Sequence, residues 1–171
     1  MSQSHRRADH LPLAMRRVLI VEDSSVIAAK LSLIVASAGA EIVGPVATVA
    51  SAINAIATVS WIDAAVLDVD LRGELVFGVA EALVARQVPL LFLTGYDLKA
   101  LPEPWRAWPL MQKPFASTDV VNAVRAAIKA GPRRLDVTPS QTLSLGDRRR
   151  SDAVNASRNL IMESRIIRNK D

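Results

Sequence analysis

The sequence predicts a doubly wound α/β domain: a five-stranded parallel sheet with helices on both faces. Two observations carry that expectation. Five short apolar runs lie between Val18 and Met111, and stretches with apolar residues at helical spacing separate them. Runs such as Val18–Val21 are apolar throughout instead of alternating, as strands buried on both faces are.

Val18–Val21 is the first strand and runs into Glu22-Asp23. Ser24 and Ser25 offer N-caps for a helix with Ile27, Leu31, Ile34, Val35 and Ala38 on one face, and Gly39 supplies its C′ position. Glu41–Val43 is a second strand, expected to stop at Gly44-Pro45. Thr48 caps a second helix carrying Val49, Ile53, Ile56 and Val59. The third strand, Ala65–Leu67, ends in Asp68, and a third helix covers Val76–Ala85. Leu90–Leu93 and Pro109–Met111 are strands four and five. The last helix follows Ser117, with Val120, Val124 and Ile128 at four-residue steps. Between the last two strands, Pro102, Pro104 and Pro109 leave room for one short turn near Leu98–Leu101 but not for a full fourth helix.

Composition narrows the function. The 171 residues hold no cysteine and two histidines, His5 and His10, both near the N-terminus. Thiolate metal sites, cysteine nucleophiles, serine–histidine triads and histidine metal cages therefore have nothing to stand on. No apolar stretch approaches the roughly 20 residues that span a bilayer, and the N-terminus lacks a secretory apolar core, so a cytoplasmic protein is expected. The net charge of +4 belongs to the two ends, while residues 18–130 are mildly acidic. Three segments follow: a flexible extension over 1–15, a domain over 16–130, and a basic, mostly disordered tail over 131–171 that includes an amphipathic stretch, Val154–Ile167.

In open α/β sheets, chemistry sits beyond the carboxyl ends of the strands. Here those ends bring together Glu22, Asp23, Asp68, Thr94 and Lys113. Clustered carboxylates repel unless a cation sits among them, and oxygen-only ligands suit a hard dication such as Mg²⁺. A metal, a hydroxyl and a lysine around one aspartate suit phosphoryl transfer, with Asp68 as the nucleophile.

Four motifs then resemble one family. Val18-Leu-Ile-Val-Glu22-Asp23-Ser24, Ala65-Val-Leu-Asp68, Leu93-Thr94-Gly95 and Gln112-Lys113-Pro114-Phe115 look like the receiver domain of two-component response regulators, the CheY-like superfamily, over Arg16–Ala130. The resemblance implies a flavodoxin-like strand order of 2-1-3-4-5 and a phosphoryl group passed from a sensor histidine kinase or phosphotransfer protein to Asp68. It implies Mg²⁺ held by Glu22, Asp23, Asp68 and the backbone carbonyl of Asp70, whose side chain borders the path of the hydrolytic water. Thr94 and Lys113 then match the hydroxyl and lysine that follow the phosphoryl group, and Lys113-Pro114 matches a peptide bond commonly cis in the family.

Departures from the family pattern are informative. Leu110 stands where many receivers carry an aromatic switch residue, and Tyr96 follows Thr94-Gly95. Phe92-Leu-Thr-Gly-Tyr96 is similar to the signature of a single-domain subgroup, many of whose members are linked to stress signalling. Tyr96 is read equally well as a switch or as a packing aromatic. Trp105 and Trp108 are either partly exposed anchors on an output face at 96–108 or covers for the sheet edge left bare by the missing helix. The expectation is a stand-alone response regulator that signals through an unknown output protein, with no DNA-binding output domain, no membrane span and no metabolic activity. A phosphate sink is the alternative. A haloacid-dehalogenase-type phosphatase, suggested by Asp68-Val69-Asp70, has the wrong motif order, and nucleic-acid binding through the basic ends ranks behind a solvated tail.

Overall fold

The computed structural model describes residues 11–95 and 101–135. They fall into two compact units, one of residues up to Gly95 together with Trp108–Arg134, the other containing Leu101–Ala107. The strands are β1 (Arg17–Val21), β2 (Glu41–Val46), β3 (Ala64–Asp68), β4 (Asp70–Leu71), β5 (Glu74–Leu75), β6 (Leu90–Thr94) and β7 (Leu110–Gln112). The α-helices are α1 (Ser25–Ser37), α2 (Val49–Thr58), α3 (Phe77–Ala85) and α4 (Ser117–Ala130).

Five strands form one parallel sheet in the order β2-β1-β3-β6-β7, while β4 and β5 make a separate antiparallel hairpin. With the hairpin set aside, the order is the expected 2-1-3-4-5. Side-chain alternation along the strands splits the core in two. Val18, Ile20, Val66, Leu91 and Leu93 pack with Leu31 and Val35 of α1 and Val120 and Val124 of α4. The intervening strand residues, such as Leu19, Leu67 and Phe92, are wholly buried toward the opposite face, where Phe77 of α3 meets Phe92 edge to face at 6.0 Å.

Helix ends follow local chemistry. Thr48 and Ser51 form a capping box at the start of α2. The C-terminal end of α2 is held from another helix: the Arg86 guanidinium, just past α3, donates to the carbonyls of Ile56, Val59 and Ser60. The Ile56 carbonyl is among the orphans that every helix end must satisfy, and Val59 and Ser60 are the two residues that follow the helix.

Three sequence expectations change. First, β2 does not stop at Val43 but continues through Gly44-Pro45 to Val46. Gly44 has φ 93°, the register against β1 shifts between Leu19 and Val21, and Glu22 N–H still donates to Val46 O at 3.0 Å. Proline is tolerated there because β2 is an edge strand with a bulge. Second, packing begins before residue 16. Residues 11–15 form turns, Leu13 N–H donates to Ala38 O at 2.9 Å, and the Leu13 side chain is wholly buried in the core. Gly39, at φ 96°, permits this approach, since a Cβ there would lie 2.8 Å from Leu11 Cβ.

Third, of the two readings left open for Trp105 and Trp108, exposed anchors are excluded: the indoles are 4% and 6% exposed. Trp108 lies beside Pro89, Leu90 and Ala127 in the larger unit. In the smaller unit the chain makes one 3₁₀ turn, Glu103–Trp105, braced by Arg106 Nε donating to Leu101 O at 2.8 Å. Tyr96, residues 98–100 of the turn expected at Leu98–Leu101, residues 1–10 and the basic tail from 136 onward lie outside the described residues. Among the described residues no helix is long and apolar enough to cross a membrane.

Leu13→Ala should lower unfolding stability by about 2–4 kcal/mol in urea titrations, the range for a buried leucine in a core that relaxes only partly. An exposed extension would give a change near zero.

Candidate functional site

Parallel register sets the site. Val21 pairs with Leu67, Asp68 with Leu93 and Thr94 with Gln112, so the ends of β1, β3, β6 and β7 share one edge. Glu22 and Asp23 leave β1 there, Asp68 and Thr94 end β3 and β6, and Lys113 follows β7. The structure thus brings together all five side chains that the sequence placed at strand ends.

Lys113 is the bridge. Its Nζ lies 2.6 Å from Glu22 Oε2 and 2.9 Å from Asp68 Oδ2, while its backbone N–H donates to Thr94 O at 2.7 Å. The Lys113–Pro114 peptide bond is cis. The second carboxylate oxygen of Glu22 accepts the Ser24 backbone N–H at 3.1 Å. Glu22 is only 2% exposed, so without these donors it would be an uncompensated buried charge, costing several kcal/mol. Thr94 is also buried, its position fixed by β6.

Burial pushes the Asp68 carboxyl up to about 6, against the pull of its hydrogen bond and charge interaction with Lys113 and with repulsion from Glu22 and Asp23 adding to the rise. Lys113 is itself raised. Burial would lower it, but its hydrogen bonds to Glu22 and Asp68 outweigh that effect. At neutral pH the pair is an ammonium beside a largely ionised carboxylate.

Glu22, Asp23 and Asp68 each present one carboxylate oxygen, all within 4.8 Å of one another. The donor set is oxygen only, and it fits a small hard dication of the Mg²⁺ type better than a soft metal. Asp70 is not part of this oxygen cluster. Its carboxylate is buried and accepts the Gly73 backbone N–H inside the β4–β5 hairpin.

Sequence reasoning missed Arg72. Its Nε lies 3.5 Å from Asp23 Oδ2, and its Nη2 donates to the Asp23 carbonyl at 3.2 Å. Arg72 and Gly73, with φ 58° and 90°, form the two-residue loop between β4 and β5. Positive φ at both positions is the mark of a type I′ hairpin turn. An Arg-Gly pair between Asp70-Leu71 and Glu74-Leu75 was the available signal, too short to stand out from the loop around it.

No protein-family model matches the chain, and neither does any curated protein sequence. Solved structures do. The solution structure of SdrG from Sphingomonas melonis Fr1 is 38% identical, with a TM-score of 0.55, covering 67% of this chain and 97% of that one. The BeF3-activated conformation of SdrG from Pseudomonas melonis Fr1 is 40% identical over the same shares, with a TM-score of 0.58. The PhyR response regulator REC domain of Erythrobacter litoralis is 27% identical, with a TM-score of 0.63, covering 72% of this chain and 98% of that one.

The raised Asp68 carboxyl has a stability consequence in the metal-free protein. The folded state holds the proton more tightly than the unfolded chain, so stability declines as pH rises from about 3.8 through about 6 and is flat beyond. Asp68→Asn removes the ionisation. With chelator present it should be more stable than the native chain at pH 7.5, by about 1–3 kcal/mol, and the gap should close below pH 4. Melting curves at the two pH values check this.

Proposed function

Because this chain belongs to the response regulator receiver family, we propose that it accepts a phosphoryl group on Asp68 from a histidine kinase or phosphotransfer protein. The observation that carries the proposal is the placement of Asp68 at the end of β3, with Lys113 Nζ on its Oδ2 and two further carboxylates beside it. Lys113 holds one carboxylate oxygen and leaves Oδ1 as the nucleophile. Oδ1 attacks phosphorus, the phosphorus–nitrogen bond of the donor phosphohistidine breaks, and the departing imidazole takes a proton. Hydrolysis returns the carboxylate and releases inorganic phosphate.

Glu22, Asp23, Asp68 and the Asp70 backbone carbonyl would hold Mg²⁺, which when bound offsets charge on the phosphoryl oxygens. Lys113 contributes a fixed positive charge on the other side of Asp68. The Thr94 hydroxyl sits at the neighbouring strand end, where it suits a hydrogen bond to a phosphoryl oxygen. This site serves signalling, with no turnover of an outside substrate.

The proposal is of a stand-alone receiver whose phosphorylated form is read by another protein. BeF3⁻ is the natural probe, because it copies a phosphoryl group on a carboxylate, and a chain 40% identical has been solved in a BeF3-activated conformation. A phosphate sink would share all of this chemistry and differ only in lacking a protein that binds the loaded form.

Phosphoramidate with Mg²⁺ should shift the native chain on a phosphate-affinity gel, and phosphorylated histidine kinases should do the same faster. Asp68→Asn should show no shift with either donor, and chelator should slow the native chain at least tenfold. Labelling that persists in Asp68→Asn would overturn the assignment. Pull-downs with and without BeF3⁻ then separate a switch from a sink.

A further inference from the structure

Arg72 sits in an unusual place for a long charged side chain. It is the first residue of a two-residue turn with φ 58°, a conformation that glycine, asparagine and aspartate adopt far more readily than arginine. The turn is firmly built. Asp70 pairs with Leu75 and Leu71 with Glu74, Gly73 N–H is held by the Asp70 carboxylate, and Val76 N–H donates to Val69 O at 3.1 Å. The hairpin therefore presents the Arg72 side chain from a fixed base at the edge of the acidic cluster.

Among the described residues the guanidinium makes two polar contacts, both to Asp23. Nε faces the carboxylate and Nη2 the backbone carbonyl, so one planar group grips two acceptors of one residue, the forked geometry that distinguishes arginine from lysine. Of the three clustered carboxylates, Glu22 and Asp68 already share Lys113. Asp23 is the one that Lys113 does not reach, and Arg72 supplies its counter-charge. Arg72 remains largely in solvent, with a side chain 77% exposed, whereas Asp23 is 21% exposed. Leaving Asp23 thus uncovers little apolar surface and returns the guanidinium to water.

From these contacts we infer that Arg72 is a positioning residue that latches the Asp23 carboxylate when the cation site is empty and competes with the divalent cation for it. The inference rests on the reading of Glu22, Asp23 and Asp68 as that site. Two effects make the competition unfavourable to the metal. The carboxylate oxygen facing Nε must be shared or released. A positive guanidinium also stays within a few ångströms of an incoming dication, at a separation below the Debye length of physiological salt. Both effects weaken as salt rises, because the guanidinium is solvated.

The test is Mg²⁺ binding to the unphosphorylated full-length protein by isothermal titration calorimetry, a readout that needs no phosphoryl donor. Arg72→Gln removes the charge and Arg72→Lys keeps it. Arg72→Gln should bind Mg²⁺ about three- to tenfold more tightly than the native chain at low salt, and the difference should narrow in 0.5 M KCl. Arg72→Lys should lie closer to the native value. Arg72→Gly, which relieves the positive-φ turn, keeps the test open should the glutamine variant fold poorly, and it should bind Mg²⁺ as tightly as Arg72→Gln was expected to. Native or weaker affinity in the variants lacking the charge overturns the latch while leaving the cation site standing. No Mg²⁺ binding by native and variant chains alike overturns the latch and the reading of the acidic cluster together.

Discussion

A single ammonium group holds together the edge of the sheet where the chemistry sits. Lys113 Nζ touches Glu22 and Asp68, residues that arrive on the first and third strands, from a position just past the last one. The two carboxylates are buried at strand ends that the parallel register forces side by side, where their mutual repulsion is poorly screened. The fold could relieve that repulsion by pushing the strand ends apart or by placing a cation between them. It places a cation, and its backbone N–H is fixed to the carbonyl of Thr94, so hydroxyl and ammonium are located by the same rung of the sheet.

That arrangement explains why the site is asymmetric. Glu22 is locked on both oxygens, by Lys113 and by the Ser24 N–H, so it is the least free of the three acids. Asp68 is bound on one oxygen only, and burial leaves it with a weak hold on its charge. Asp23, beyond the reach of Lys113, faces the hairpin tip instead. Three carboxylates that look alike in sequence are therefore held in three different ways: Glu22 on both oxygens, Asp68 on one by Lys113, and Asp23 by Arg72 alone among the described cations.

Much of this was legible in the sequence because the strands are short, apolar and abruptly terminated by their functional residues. The run Val18–Val21 followed by Glu22-Asp23, and Ala65–Leu67 followed by Asp68, locate the sheet edge without any three-dimensional information. Features that depend on non-local packing were harder to read. Gly44-Pro45 reads as a stop signal, yet β2 passes through it because an edge strand can bulge while Glu22 N–H still finds the Val46 carbonyl. Leu13 sits in a run of only five apolar residues, Leu11–Met15, between basic residues and with no period to assign it to an element. It packs where the segment crosses Gly39, whose missing side chain leaves room for Leu11 and Ala14. The two tryptophans near the proline-rich crossover show the same limit: the sequence left exposure and burial equally open, and only the packing decides for burial.

The Arg86 guanidinium, gripping the carbonyls of Ile56, Val59 and Ser60, has a bearing on how sequences of this kind drift. It recognises backbone oxygens, which every residue type provides. Side chains in the turn after α2 are free to vary so long as the chain keeps its path, as the exposed Trp61 next to it illustrates. Arg86 itself has no such freedom, because lysine presents one point of charge where a planar fork reaches three carbonyls. In a comparison of related chains, that turn should look neutral and interchangeable, and the residue enforcing its shape should be found 26 positions away from Ser60, in a different helix's wake.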